Sequence, residues 1–210
     1  METKDWRVLL IGGNSGAGKT YLAQELVQEW GIPFLMVDDV RMALQKVTTA
    51  DQQPDLHVFL KYRPEQWKNP EGIFRDWLRV GTAMVKPLCA VMAHHILVES
   101  SGPIILEGDG ILPALTKPGT FDEIAGSKTV NLTQQVRAVF LIEENVDEIL
   151  KNMQSRNRGP IESGKETQLS FAQASQQYGQ WLLQEAERMQ IPILPTRPKE
   201  TIVERLKQVI

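Results

Sequence analysis

The sequence predicts an α/β fold, a parallel sheet with helices on both of its faces. Three observations predict it. Short apolar runs alternate with helix-length amphipathic stretches along most of the chain, the pattern of successive β-α-β units. One of these runs, Ile104 to Leu106, is continuously apolar, as in a strand buried on both faces. A glycine-rich turn, Gly12 to Gly18, stands between the first apolar run and the first helical stretch.

Taken in order, Trp6 to Ile11 reads as a strand and Lys19 to about Trp30 as a helix closed by Gly31. Pro33 to Val37 is a second apolar run, delivering a helical pattern from Asp38 with Val40, Met42 or Ala43, Leu44 and Val47 on its apolar face. Residues 51–70 are polar, proline-punctuated and interleaved with aromatics; they read as an inserted loop with one short helix. Helical periodicity returns at Glu71 and runs to about Glu99, with a kink or break expected near Lys86 because Pro87 removes a backbone hydrogen bond. Ile104 to Leu106 is the third strand, and a loop from Leu112 to Thr133 holds a short helix around Phe121 to Ala125. Val136 to Ile142 is a strand, Asn145 to Arg156 a helix, and Asn157 to Lys165 a polar loop. Leu169 to Gln190 is a long helix, Ile191 to Leu194 the last strand, and Lys199 to Ile210 a terminal helix. The whole forms one domain over 1–210, with a helical insertion over about 51–100 between the second and third strands.

Composition narrows the function classes. A chain of 210 residues with one cysteine, Cys89, holds a core without an internal disulfide. The first thirty residues carry no signal-peptide pattern, which points to the cytoplasm. No run reaches the roughly 20 apolar residues needed to span a bilayer, so no membrane partner is expected. The net charge of -3 gives no general attraction to nucleic acid, leaving a small molecule as the expected partner. Oligomeric state is not encoded in any recognisable pattern.

One motif decides the chemistry. Gly13-Asn14-Ser15-Gly16-Ala17-Gly18-Lys19-Thr20 satisfies G-x-x-x-x-G-K-[ST], and it lies between a strand and a helix as that pattern requires. Such a loop turns consecutive N–H groups toward phosphate oxygens, and the helix N-terminus adds the positive end of its dipole. Lys19 is placed to reach the β- and γ-phosphates and Thr20 to offer its hydroxyl to Mg²⁺. The chain carries no N-K-x-D, D-x-x-G or L-S-G-G-Q motif, so a small-molecule phosphotransferase meets fewest objections among phosphate-loop proteins.

Acceptor chemistry is sought at the same sheet edge, where the second strand ends at Asp38-Asp39-Val40-Arg41. Asp38 can take a proton from an attacking hydroxyl, and Arg41, three residues on, can grip an anionic group. Glu107 and Asp109 follow the third strand directly and are candidates for the Mg²⁺ shell or the acceptor. Which of Asp38, Asp39, Glu107 and Asp109 is the base stays open, with the D-x-x-R spacing favouring Asp38. Adjacent His94 and His95 point about 100° apart on a helix and cannot chelate one ion together.

The runs IGGNSGAGKT, DDVR and ILEGDGILP resemble the corresponding segments of the archaeal-type 2-phosphoglycerate kinases and their relatives among the P-loop kinases. The resemblance covers about the first 110 residues in order and extends to the arginine-bearing stretch after the fourth strand. It implies a P-loop NTPase fold with a five-stranded parallel sheet, ATP and Mg²⁺ as cofactors, and an acceptor held between the insertion and the sheet edge. It also implies a lid over about 155–166 whose Arg156 and Arg158 neutralise charge on the transferring phosphoryl group. Asp109 and the long aromatic insertion depart from the pattern. The expected activity is transfer of the ATP γ-phosphoryl group to a hydroxyl of a small anionic metabolite. A nucleoside or nucleoside-monophosphate kinase and a non-catalytic ATP-binding switch are the alternatives.

Overall fold

Strand β1 (Val8–Gly13) alternates its side chains between two apolar layers, Val8 and Leu10 entering one and Leu9 and Ile11 the other. All four are fully buried, because helices cover both faces of the sheet at its centre. The structure is a computed structural model describing residues 5–98, 102–116, 135–155 and 164–210. β1 is flanked by β3 (Ile104–Glu107) and β4 (Val136–Ile142), with β2 (Phe34–Met36) and β5 (Ile193–Pro195) outside them. The order is β2-β3-β1-β4-β5 and every pairing is parallel, the five-stranded α/β architecture expected from the sequence.

Helices α1 (Lys19–Trp30) and α6 (Ile202–Lys207) pack Leu22, Leu26, Ile202 and Leu206 against one face. Helices α3 (Pro70–Leu97) and α5 (Lys165–Arg188) pack Met84, Leu88, Met92, Tyr178 and Leu182 against the other. Helix α2 (Val37–Val47) follows β2 without a connecting residue, and α4 (Val146–Ser155) joins α5 through Ile149, Met153 and Ala172.

Several local expectations are corrected. Helix α3 does not break at Pro87 but runs through it. The lost backbone bond costs about 3 kcal/mol, and burial of Met84, Leu88, Cys89 and Met92 around it offsets that cost. As a continuous helix of 28 residues, α3 is long and apolar enough by composition to cross a membrane, which the charged residues within it hid from a search for unbroken apolar runs. Its buried face packs on the sheet and α5, as in a core helix. Helix α5 begins at Lys165, four residues before the apolar periodicity that marked its start, since its first turn is polar. The insertion before α3 holds two short 3-10 turns, Val58–Lys61 and Gln66–Lys68, instead of one. The short helix expected near 121–125 lies outside the described residues.

Candidate active site

The phosphate loop is held in shape by residues far away in sequence. Gly13 adopts φ 141°, and a Cβ there would stand 2.0 Å from the Leu141 carbonyl oxygen, so the chain leaves β1 only because this position is glycine. Asn14 is fully buried and its side chain faces away from the loop's open side. Its amide nitrogen donates to the carbonyls of Glu143 (2.9 Å) and Ser175 (3.1 Å), and its Oδ1 accepts from the Glu143 amide at 3.0 Å. Ser175 Oγ donates to the Ser15 carbonyl at 2.9 Å, and Asn152 Nδ2 donates to the Gly16 carbonyl at 2.9 Å. With its carbonyls engaged by α4 and α5, the loop is a rigid cradle.

No side chain caps the N-terminus of α1, where Gly18 takes the left-handed conformation and Lys19 opens the first turn. An uncapped helix start facing a cleft lined by Ser15, Gly16, Gly18, Lys19 and Thr20 fits a bound phosphate chain. Lys19 is 6% exposed. Its Nζ donates to the Asn14 carbonyl at 2.8 Å and forms an ion pair with Asp109.

Strand register brings the acidic side of the cleft to the same height. Glu107 is level with Ile11 on β1 and Met36 on β2, at the C-terminal edge of three neighbouring strands. The Thr20 hydroxyl donates to Glu107 Oε1 at 3.2 Å, so a hydroxyl and a buried carboxylate converge where a magnesium ion would need hard oxygen ligands. Asp109, two residues on, is fixed through its backbone. The buried Tyr178 hydroxyl donates to its carbonyl at 2.5 Å, and burial, then the Asp109 charge, raises that hydroxyl's pKa well above the usual phenol range.

Beyond this cleft lies a cavity of about 480 Å³, lined by the start of α2, by α3, and by Phe59, Trp67 and Phe171. Asp38 and Arg41 stand at its edge. Arg41 Nε and Nη2 both reach Asp38 Oδ1, at 3.2 and 3.0 Å, so the pair expected to share a helix face is bonded to itself. Asp38, Asp109, Ser15 and Met36 line both the phosphate cleft and the cavity, while Asp39 and Arg41 line the cavity alone.

The structure thus brings together Gly13, Asn14, Ser15, Gly16, Ala17, Gly18, Lys19, Thr20, Asp38, Arg41, Glu107 and Asp109 at one sheet edge. Arg156 and Arg158 lie outside the described residues. His95 Nδ1 is 3.1 Å from the Gly102 carbonyl, remote in the fold from this edge. Sequence reasoning missed Glu143, Asn152, Ser175 and Tyr178, all of which hold the site in place. The one available signal was Ser175 with Gly179, two weak helix formers four residues apart on one face of a long helix.

This architecture has solved counterparts. An unliganded sugar kinase from Janibacter sp. HTCC2649 superposes with a TM-score of 0.55 at 16% identity, over 97% of this chain and 94% of that one. The likeness establishes a shared fold. A deoxyadenosine kinase from M. mycoides with bound dATP aligns with a TM-score of 0.49 at 11% identity, over 96% of this chain and 97% of that one. No protein-family model matches the sequence. No curated protein matches it.

Proposed function

We infer that this chain is an ATP-dependent phosphotransferase acting on a hydroxyl group of a small molecule. One observation carries the reading: the phosphate cleft and the larger cavity share a wall made of Ser15, Met36, Asp38 and Asp109. A donor's terminal phosphate and an acceptor's hydroxyl can therefore meet in one continuous space. A protein that only bound nucleotide would need no second chamber opening onto the phosphate end.

Bound at the loop, ATP with Mg²⁺ would supply the transferable phosphoryl group and a cation to offset its charge. The chain's own residues do the remainder. Lys19 and the N-terminal amides of α1 would bind the phosphates, and Thr20 and Glu107 would hold the cation through oxygen. Asp38 uses Oδ1 to accept from Arg41, leaving Oδ2 to receive the acceptor's proton. Arg156 and Arg158 are assigned to charge stabilisation at the transferring group from their place after α4 in the sequence.

An anionic acceptor would have to draw Arg41 away from Asp38. Among the described residues lining the cavity Arg41 is the only cation, and it is engaged by Asp38. Among the described lining residues, nothing selects 2-phosphoglycerate.

The deciding experiment measures ATP affinity by calorimetry, and ADP release with a new phosphomonoester, across a panel of small alcohols, sugars, nucleosides and phosphorylated acids. Lys19→Ala should abolish transfer and weaken ATP binding. Near-normal turnover in that variant would overturn the assignment of the loop. Tight ATP binding with transfer to no acceptor would replace the enzyme by a nucleotide-controlled switch.

A further inference from the structure

The larger cavity has an aromatic wall that phosphoryl transfer alone does not require. Phe59 and Trp67 lie nearly parallel, 17° apart with centroids at 5.7 Å. Phe171 meets Trp67 at 6.1 Å and Trp77 edge-on at 4.8 Å, and Phe59 meets Trp77 edge-on at 6.4 Å. The four rings come from the insertion, α3 and α5, and all four line the same cavity. Each is half-buried, although they sit beside a fully apolar floor that includes Met84 and Val37. Large aromatic surfaces left part-open on a concave wall are suited to a ligand that covers them with a flat face of its own.

Charge narrows the class further. Among the described residues, Asp38, Asp39 and Asp109 line the cavity against one cation, Arg41, which Asp38 already holds. Among the described residues, a carboxylate or phosphate on the acceptor would have to compete with Asp38 for Arg41 and with Asp109 for Lys19. Ser15, Asp38 and Asp109 are shared with the phosphate cleft, whereas the four rings line the cavity alone, so an acceptor with a hydroxyl at one end and a ring at the other matches the lining.

We propose that the acceptor is an uncharged or cationic alcohol bearing a planar, largely apolar ring, which stacks among Phe59, Trp67, Trp77 and Phe171 and presents its hydroxyl to Asp38. The assignment rests on the phosphotransferase reading for the reaction, but the binding claim has a readout of its own. Ring binding should quench the fluorescence of Trp67 and Trp77 with or without ATP.

Titration of the full chain with thymidine and phenylethanol, with ribose and glycerol, and with the anions phenyllactate and 2-phosphoglycerate separates ring from charge. The two neutral ring compounds should quench at concentrations at least tenfold below ribose and glycerol, and below phenyllactate. They should also be the phosphate acceptors with the lowest KM. Trp67→Ala and Phe171→Leu should each raise that KM at least tenfold with ATP affinity within twofold, and the unchanged ATP affinity shows that each variant is folded. Equal or better binding of 2-phosphoglycerate or glycerol, or unchanged KM in both variants, would overturn the proposal. Ring compounds that quench but are never phosphorylated would sink the phosphotransferase reading and leave the cavity assignment standing. Transfer to ring-free acceptors alone would do the reverse.

Discussion

Asn14 and Glu143 exchange two hydrogen bonds, side-chain amide to carbonyl at 2.9 Å and backbone amide to side-chain carbonyl at 3.0 Å. The second residue of the phosphate loop is thereby tied to the end of β4. Asn14→Ala leaves the Glu143 amide and the Ser175 hydroxyl without that partner in a dry interior, a loss of about 2–3 kcal/mol. Gly179→Ala acts on the same contact from α5, because its Cβ would stand 3.0 Å from the Asn14 side chain. That side chain is held on several sides and cannot give way, so a loss of about 1–3 kcal/mol is expected. Urea unfolding of both variants measures the two values, and either variant matching the parent chain would show that this tie is dispensable.

The ion pair of Lys19 with Asp109 must loosen before Lys19 can serve a phosphate. Asp109→Asn removes the competing charge, and ATP binding should tighten about three- to tenfold, a gain of roughly 1 kcal/mol. Calorimetry at fixed Mg²⁺ reads it directly; weaker binding would mean that Asp109 helps hold the donor.

Asp38→Asn keeps the size of the side chain and removes the proposed base. Transfer should fall about 10²-fold or more with ATP affinity little changed. Glu107→Gln should instead raise the Mg²⁺ concentration needed for half-maximal activity by about 10–100-fold. If Asp39→Asn shows the Asp38 pattern and Asp38→Asn does not, the base is Asp39.

Arg156→Ala or Arg158→Ala should slow transfer by about 10²-fold or more with little change in melting temperature. Arginines serving only the C-terminal end of α4 would contribute about 0.3–1 kcal/mol of stability and nothing to turnover. Measuring rate and melting on both variants separates these outcomes, and a slowing of less than tenfold in both removes them from catalysis.

Burial pushes the Cys89 thiol up to about 11. At pH 8 the folded chain should therefore hold about a hundredfold less thiolate than an ordinary cysteine, and react correspondingly slowly with a disulfide reagent. The rate should climb as pH rises toward 11 and jump on unfolding in urea. Fast labelling of the folded chain at pH 8 would show that α3 opens there.

Local signals were sufficient where the physics is local. The glycine spacing from Gly13 to Gly18 is dictated by backbone conformation and phosphate approach, and Gly31 ends α1 in the left-handed region at φ 66°. Val136 to Ile142 is a strand at its expected bounds. Where local signals competed with packing they misled: Pro87 reads as a breaker, yet the apolar face on either side of it holds α3 in one piece.

By itself, then, the sequence determined the α/β class, the glycine-rich loop, and the carboxylates that follow β2 and end β3. Each of these is encoded by neighbours within a few positions along the chain. Only the tertiary structure decided what surrounds them. Parallel pairing set Glu107 level with Ile11 and Met36. The crossing of α5 carried Ser175 to the loop and Tyr178 to the Asp109 carbonyl, and the folded insertion gathered Phe59, Trp67, Trp77 and Phe171 around one cavity. Those contacts join residues up to 161 positions apart. They arise from burying two apolar faces of one sheet at once, and no short stretch of sequence contains that constraint.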